Sequence, residues 1–242
     1  MFDKNKKITF QAGSELTELL TDHPKPSYNY VPEWYKKQKM YSNEENDYFK
    51  AFKKRPFSGT YKLCTPLVDS LTSGYMLTLP TDIIVTNVGV EDYVPQINWL
   101  TSWNPIDEQL SDVLGNYPVP EGFYNIVYRW IGDWIIKTPP GYSLWVTHPS
   151  HRNDLPFFTL NAFIDTDSHP NSIVFPFFIK KGFEGIIKKG TPIVQIIPIK
   201  RESWKTRIKK FSIKDTIVNS DNVNLMVARV YKYMYWTKKK YE

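Results

Sequence analysis

A single cysteine, Cys64, in 242 residues rules out an internal disulfide and any thiolate metal cluster. Glycine is scarce too, with 11 in the chain and none after Gly190. A glycine-rich phosphate cradle beyond that point is excluded, because such loops work by bringing bare backbone N–H groups against the phosphates. No apolar run approaches the ~18 residues of a membrane span. The opening MFDKNKK lacks the apolar stretch that a secretory signal needs behind its basic residues. The expected chain is therefore cytosolic, neither secreted nor membrane-spanning. There is no P-loop, no dinucleotide fingerprint and no internal repeat.

What is present is apolar and aromatic. Hydrophobic residues make up 41% and aromatic residues 16% of the chain, which excludes general disorder and provides for a real core. The heavy use of Lys, Ile, Asn and Tyr suggests an AT-rich genome. The net charge of +6 is unevenly placed: residues 200–242 hold 12 Lys/Arg against 4 Asp/Glu, whereas residues 1–199 hold 19 against 21. A basic C-terminal segment suits nucleic acid, an acidic protein surface or anionic lipid; a solvated helix face is the plainer explanation.

The pattern along the chain predicts a mainly β protein in three parts: an N-terminal arm over 1–60, a β-rich core over 61–199 and a basic strand/helix extension over 200–242. In the arm, Ser14 is placed to cap a short helix over Glu15–Leu20, and Pro32 to start a helical turn carrying Trp34 and Tyr35. Tyr61–Cys64 reads as a strand, with Cys64 a small core residue. Pro66–Ser73 reads as a helical turn or two, ended by Gly74. Strands are expected at Tyr75–Leu79 and Asp82–Thr86, and residues 104–122 read as a loop with room for a short helix at Asp107–Leu114. Trp99 and Trp103, four apart, suit one helix face or two loop anchors. The densest β signal gives strands at Asn125–Ile131, Trp134–Lys137, Tyr142–Thr147, Phe157–Ile164, Ile173–Ile179, Glu184–Ile187 and Ile193–Pro198. Pro139-Pro140-Gly141 forms a strong turn between two of them. Short strands at this spacing indicate a compact sandwich or barrel. Asn222–Trp236 carries an apolar stripe at helical spacing, the pattern of a helix packed on the core.

Ala162-Phe163-Ile164-Asp165-Thr166-Asp167, followed by Ile173-Val174-Phe175 and by Gly190-Thr191-Pro192-Ile193-Val194-Gln195, resembles the dUTPase family, with Pro140-Gly141-Tyr142 and His148-Pro149-Ser150 upstream. The similarity covers about 134–199 and implies a β-clip core, a homotrimer by analogy and, if activity were kept, nucleotide pyrophosphate hydrolysis with Mg²⁺. Carried over by position, Asp165 matches the aspartate that orients the attacking water. Gln195 matches the glutamine near the phosphates, and Ser150 loosely matches a phosphate-contacting serine. The departures weigh against activity. Ser168 stands where an aromatic residue stacks on the sugar, Ala162 and Pro170 where glycines flank the turn, and Thr191-Pro192 where Asp-Arg is usual. The glycine-rich C-terminal arm is missing. Pro32-Glu33-Trp34-Tyr35, Lys62-Leu63-Cys64-Thr65-Pro66, Lys137-Thr138-Pro139-Pro140-Gly141-Tyr142 and Gly190 to Gln195 together resemble a family of tailed-phage proteins without an assigned activity. That resemblance implies a viral origin and a virion or host-cytoplasm location.

His148, His151 and Asp154 fall within seven residues and are weak candidates for a Zn or Fe(II) site; a polar loop is the simpler reading. Asp165 and Asp167 suit paired carboxylates or a divalent-ion site, or else a turn in which aspartate accepts backbone N–H bonds. Ser150 lacks a nucleophile elbow around it. Lys205, Arg207, Lys209 and Lys210 alternate with Trp204, Ile208 and Phe211. They suit a nucleic-acid grip or, preferred, the lysine-protected outer face of an edge strand. Trp236, Lys238, Lys239 and Lys240 suit an interaction tail or a frayed helix end. The expected function is a viral binding or assembly protein, without enzymatic activity or cofactor, that contacts other viral proteins or itself. A diverged nucleotide-binding protein and a nucleic-acid binder are the rivals.

Overall fold

Prolines and glycines punctuate the chain into short strands, and apolar alternation decides which face of each is buried. The computed structural model describes residues 6–41, 60–86, 95–109, 111–213 and 231–242. The chain divides into two compact units, one of Met1–Tyr30 with Gly74–Arg201 and one of Val31–Ser73 with Glu202–Glu242.

Among the described residues every strand pairing of the first unit is antiparallel. It starts with β1 (Thr9–Ala12) and α1 (Glu15–Leu20), whose N-cap Ser14 accepts the Thr17 N–H through its side chain at 3.1 Å, as expected. Then come β2 (Lys25–Pro26), β3 (Tyr75–Thr78), β4 (Ile83–Thr86), β5 (Gln96–Trp99), β6 (Ile106–Gln109), β7 (Val127–Ile131) and β8 (Trp134–Lys137). The rest are β9 (Tyr142–Thr147), β10 (Phe157–Thr159), β11 (Ala162–Ile164), β12 (Val174–Ile179), β13 (Gly185–Ile187) and β14 (Pro192–Lys200). They form a five-stranded sheet in the order β11-β9-β14-β3-β2 and a four-stranded sheet in the order β10-β12-β7-β6. A three-stranded sheet, β13-β4-β5, and the β1-β8 pair are the other sheets among the described residues. This is a mainly β architecture.

The core lies where apolar positions of β7, β10 and β12 meet those of β9 and β14. Trp130 and Phe177 stack at 3.5 Å and 3°, with Phe157 edge-on to Trp130 at 5.0 Å. Thr159, fully buried, keeps this aromatic cluster hydrogen-bonded: it accepts the Trp130 indole N–H at 3.2 Å and donates to the Ile193 carbonyl at 2.7 Å. One hydroxyl thereby links the four-stranded sheet to β14 and satisfies a buried donor that would otherwise cost about 1 to 3 kcal/mol.

The second unit holds α2 (Glu33–Lys37) and α3 (Thr65–Thr72). Pro32 caps α2 from just outside it, one position before the helical start expected of it. The last carbonyls of α2 are met by a cation: Lys62 Nζ donates to Tyr35 O at 2.7 Å and Lys36 O at 3.1 Å, and lies 4.4 Å from the Tyr35 ring centroid. A π-helical turn at Tyr231–Tyr235 closes on the Tyr231 carbonyl through Trp236 N–H at 2.8 Å.

Several expectations are corrected. Tyr61–Leu63 is a 3-10 turn, not a strand, and Cys64 is a half-buried junction that caps α3 rather than a core strand residue. The helix expected at Asp107–Leu114 is instead β6, which pairs with β7, followed by a 3-10 turn at Ser111–Leu114. Phe157–Ile164 is split into β10 and β11, which join different sheets. Trp99 lies on β5 and Trp103 in a bend, so the two do not share a helix. Lys205–Phe211 has no regular structure, so it is not an edge strand. Most of the stripe over Asn222–Trp236 lies outside the described residues.

Candidate functional site

The Pro139-Pro140-Gly141-Tyr142 turn and the turn after β11 bring together the residues singled out by sequence. Tyr142 N–H returns to Pro139 O at 3.1 Å, and Gly141 sits at φ 81°, the left-handed conformation for which glycine is favoured in the third position of such a turn. Gly141 N–H then donates to Asp167 Oδ2 at 2.9 Å, and Gly141 O accepts the Arg201 N–H at 2.9 Å. β9 and β11 are in register with Leu144 opposite Ile164, so the next residue on each strand, Ser143 and Asp165, also meet. Ser143 Oγ donates to Asp165 Oδ1 at 2.6 Å.

Arg201, the residue after β14, binds both aspartates. Its Nη1 donates to Asp167 Oδ1 at 3.0 Å and its Nη2 to Asp167 Oδ2, a two-pronged contact. The same Nη1 lies 3.1 Å from Asp165 Oδ1 and 3.1 Å from Ser143 Oγ. The Arg201 guanidinium and the Gly141 N–H hold the Asp167 carboxyl down at about 2. Below this cluster Thr138 and Thr166 are buried, with their hydroxyls 2.8 Å apart. Thr138 spends its proton on the Tyr142 carbonyl at 2.9 Å, so Thr166 is the donor between the two. Asp165 is exposed and Asp167 half-buried.

These contacts weigh against a metal-ion role for the pair. A catalytic aspartate must keep a lone pair for water, and a divalent-ion site must present uncompensated negative charge. Both oxygens of Asp167 are used, Asp165 Oδ1 takes Ser143 Oγ and Arg201 Nη1, and the guanidinium sits between the two carboxylates where a divalent ion would have to bind. The residues do not fit Mg²⁺. The hydrogen-bonded turn is the reading that holds, with the bonds supplied by the neighbouring Gly141 and Arg201.

Gln195 is fully buried on β14, between β9 and β3. Its Oε1 accepts the Ser150 N–H at 3.0 Å, fixing the turn after β9. Asp165 and Gln195 therefore belong to different local networks, one at a surface turn and one inside a sheet.

The histidine–carboxylate candidates do not converge. His148 is spent internally: Nδ1 accepts the Thr159 N–H at 3.3 Å, which puts the proton on Nε2, and Nε2 donates to Arg152 O at 3.1 Å. Burial pushes its pKa down. Asp154 is held by a forked contact from Arg152, with Nε to Oδ1 and Nη2 to Oδ2 both 2.9 Å, and this keeps its pKa low. His151 is exposed with φ 58°. Among the described residues no three His, Cys, Asp or Glu side chains are grouped to hold a metal ion.

The basic candidates divide in two. Lys205, Arg207, Lys209 and Lys210 are all exposed, as are Trp204 at 88% and Ile208 at 91%. At the C-terminus Trp236 is anchored, its indole N–H shared between the two Asp69 oxygens at 3.1 and 2.9 Å, and Lys239 Nζ donates to the same carboxylate. Lys238 and Lys240 are exposed. The expectation of a frayed end is corrected by the Asp69 anchor.

Sequence reading passed over Arg201 and Ser143, and noted Asp69 only as part of the tailed-phage resemblance, without a role. Arg201 is 34 residues from Asp167 and Trp236 is 167 from Asp69, so no local pattern announces either pair. A separate cleft is lined by Thr21, Asp22, Trp134, Phe175 and Asp133, whose carboxyl pKa is raised by burial; Asp165 and Gln195 do not line it. No helix among the described residues is long and apolar enough to cross a membrane. No family model matches the chain, and no curated protein matches it.

Proposed function

We propose that the chain acts by contact rather than by catalysis, as an assembly protein of the kind tailed phages build into virions, with a β-clip-like core. The observation that carries this is the Arg201 clamp on Asp165 and Asp167, seen with Gln195 buried in a bond to Ser150. At the positions that would supply water activation and phosphate contact in a dUTPase-like enzyme, Asp165 Oδ1 and Gln195 Oε1 each hold a turn. The antiparallel sheets and the order of the Pro-Pro-Gly-Tyr turn, the Ile-Asp turn and the Gly-x-x-Ile-x-Gln strand support the β-clip reading. The partners are other viral proteins or further copies of the chain, a trimer by analogy, in the virion or the host cytoplasm.

The exposed segment 202–213 supplies the contact chemistry. Trp204, Ile208, Phe211 and Ile213 are largely exposed, and buried rings are where interface energy concentrates. The same observation favours a second reading, single-stranded nucleic acid stacked on Trp204 and Phe211 between phosphate-binding Lys and Arg.

Quantitative mass spectrometry of purified particles tests the first reading. A fixed copy number per particle is expected, and absence from particles overturns it. The second reading predicts nucleic-acid affinity that falls steeply with salt and is lost when Lys205, Arg207, Lys209 and Lys210 are replaced by Gln.

A further inference from the structure

One face of the five-stranded sheet carries a short exposed apolar row. β11, β9 and β14 are paired so that Phe163 lies opposite Trp145 and Trp145 opposite Ile197, three abreast. Their neighbours Leu144, Val146 and Ile196 are buried at 0 to 1% exposure, so alternation turns Trp145 and its row to the other face. Phe163 is 69% and Trp145 39% exposed, and their rings lie within 18° of parallel at 6.4 Å. Solvent-facing sheet positions are normally polar, and two stacked exposed rings beside a half-exposed isoleucine mark a contact.

The same chain offers a matching ligand. Segment 202–213 exposes Trp204, Ile208 and Phe211 among Lys205, Arg207, Lys209 and Lys210. Charge is divided the same way: the unit bearing the aromatic row holds 13 Lys/Arg against 16 Asp/Glu, and the unit bearing the segment holds 18 against 9. Opposite signs on two units of one chain favour a copy-to-copy contact that joins unlike surfaces.

We infer that the Phe163–Trp145–Ile197 face docks segment 202–213 of a second copy of this chain. The inference rests on the assembly reading and names the partner. Because the two surfaces differ, copies join either by exchanging the contact reciprocally in a two-fold dimer or head-to-tail in a ring or a growing chain.

Full-length chain measured by analytical ultracentrifugation tests this. Wild type is expected to associate at low salt and to weaken at high salt. Trp145→Ser with Phe163→Ser removes the face, and Trp204→Ser with Ile208→Ser removes the segment; each is expected to weaken association at least about tenfold. Each variant keeps the half that the other lacks, so mixing them is expected to restore a 1:1 heterodimer that does not grow. Wild type that stays monomeric overturns the inference, and so does association that survives both variants. A monomer whose segment binds single-stranded nucleic acid overturns it in favour of that partner. If the face variant does not fold, a photo-crosslinker at position 204 of the full chain decides: adducts on β9 or β11 of a second copy are expected, and adducts elsewhere overturn the inference. Particle stoichiometry tests the assembly reading separately, so either can fail without the other.

Discussion

Arg201 grips Asp167 with both terminal nitrogens, while Asp167 also takes the Gly141 N–H at 2.9 Å. The contact ties the end of β14 to two turns that are far away in sequence. It lowers the Asp167 pKa from 3.8 to about 2. A carboxyl whose pKa is lower folded than unfolded contributes stability that is fully present above its unfolded value and lost as pH falls through the folded one. Urea unfolding from pH 5 to pH 2 is expected to show this loss between about 4 and about 2. The Asp167→Asn variant is expected to be flatter over that window; an unchanged slope counts against the clamp.

The buried Gln195 carries a second prediction. Gln195→Ala leaves the Ser150 N–H without its acceptor and opens a cavity in a central strand. Thermal unfolding is expected to show a loss of about 1 to 3 kcal/mol. An unaffected melting temperature would mean that the glutamine is not a structural tie.

His148 predicts an acid sensitivity of opposite origin. Its Nδ1 accepts from Thr159 N–H, so protonation there breaks that bond, and burial lowers the pKa from the usual 6.5. The unfolded chain then takes up the proton at a higher pH than the folded one. Stability is fully present above about 6.5 and declines as pH falls below it. Denaturation at pH 7.5 and 5.5 is expected to differ in the wild type and to differ less in His148→Gln.

Gly74 sits at φ 72°, and a Cβ there would lie 2.0 Å from the Ile196 carbonyl oxygen. Gly74→Ala therefore meets both a disfavoured backbone conformation and the backbone of β14. A loss of more than about 1 kcal/mol is expected by chemical denaturation. A neutral substitution would contradict the β3–β14 register.

Trp134–Lys137 and Tyr142–Thr147 were legible to the residue, because apolar runs there are bounded by a glycine, prolines and an aspartate. Where pairing with a distant strand decides the conformation, local pattern failed: Ile106–Gln109 is a strand because β7 lies beside it. Lys205–Phe211 forms no strand: its apolar positions 204, 208 and 211 are four and three apart, and no neighbouring strand among the described residues pairs with it. The site was half legible. Asp165 and Asp167 follow from the motif, and Arg201, which neutralises them, follows only from the fold. The histidine cluster was adjacent in sequence but turned to separate partners.

The most direct test of the contact-not-catalysis account is pyrophosphate release from each nucleoside triphosphate in the presence of Mg²⁺, using purified full-length protein. The account predicts no turnover above the rate without protein. Turnover of any one nucleotide that Asp165→Asn abolishes would contradict it.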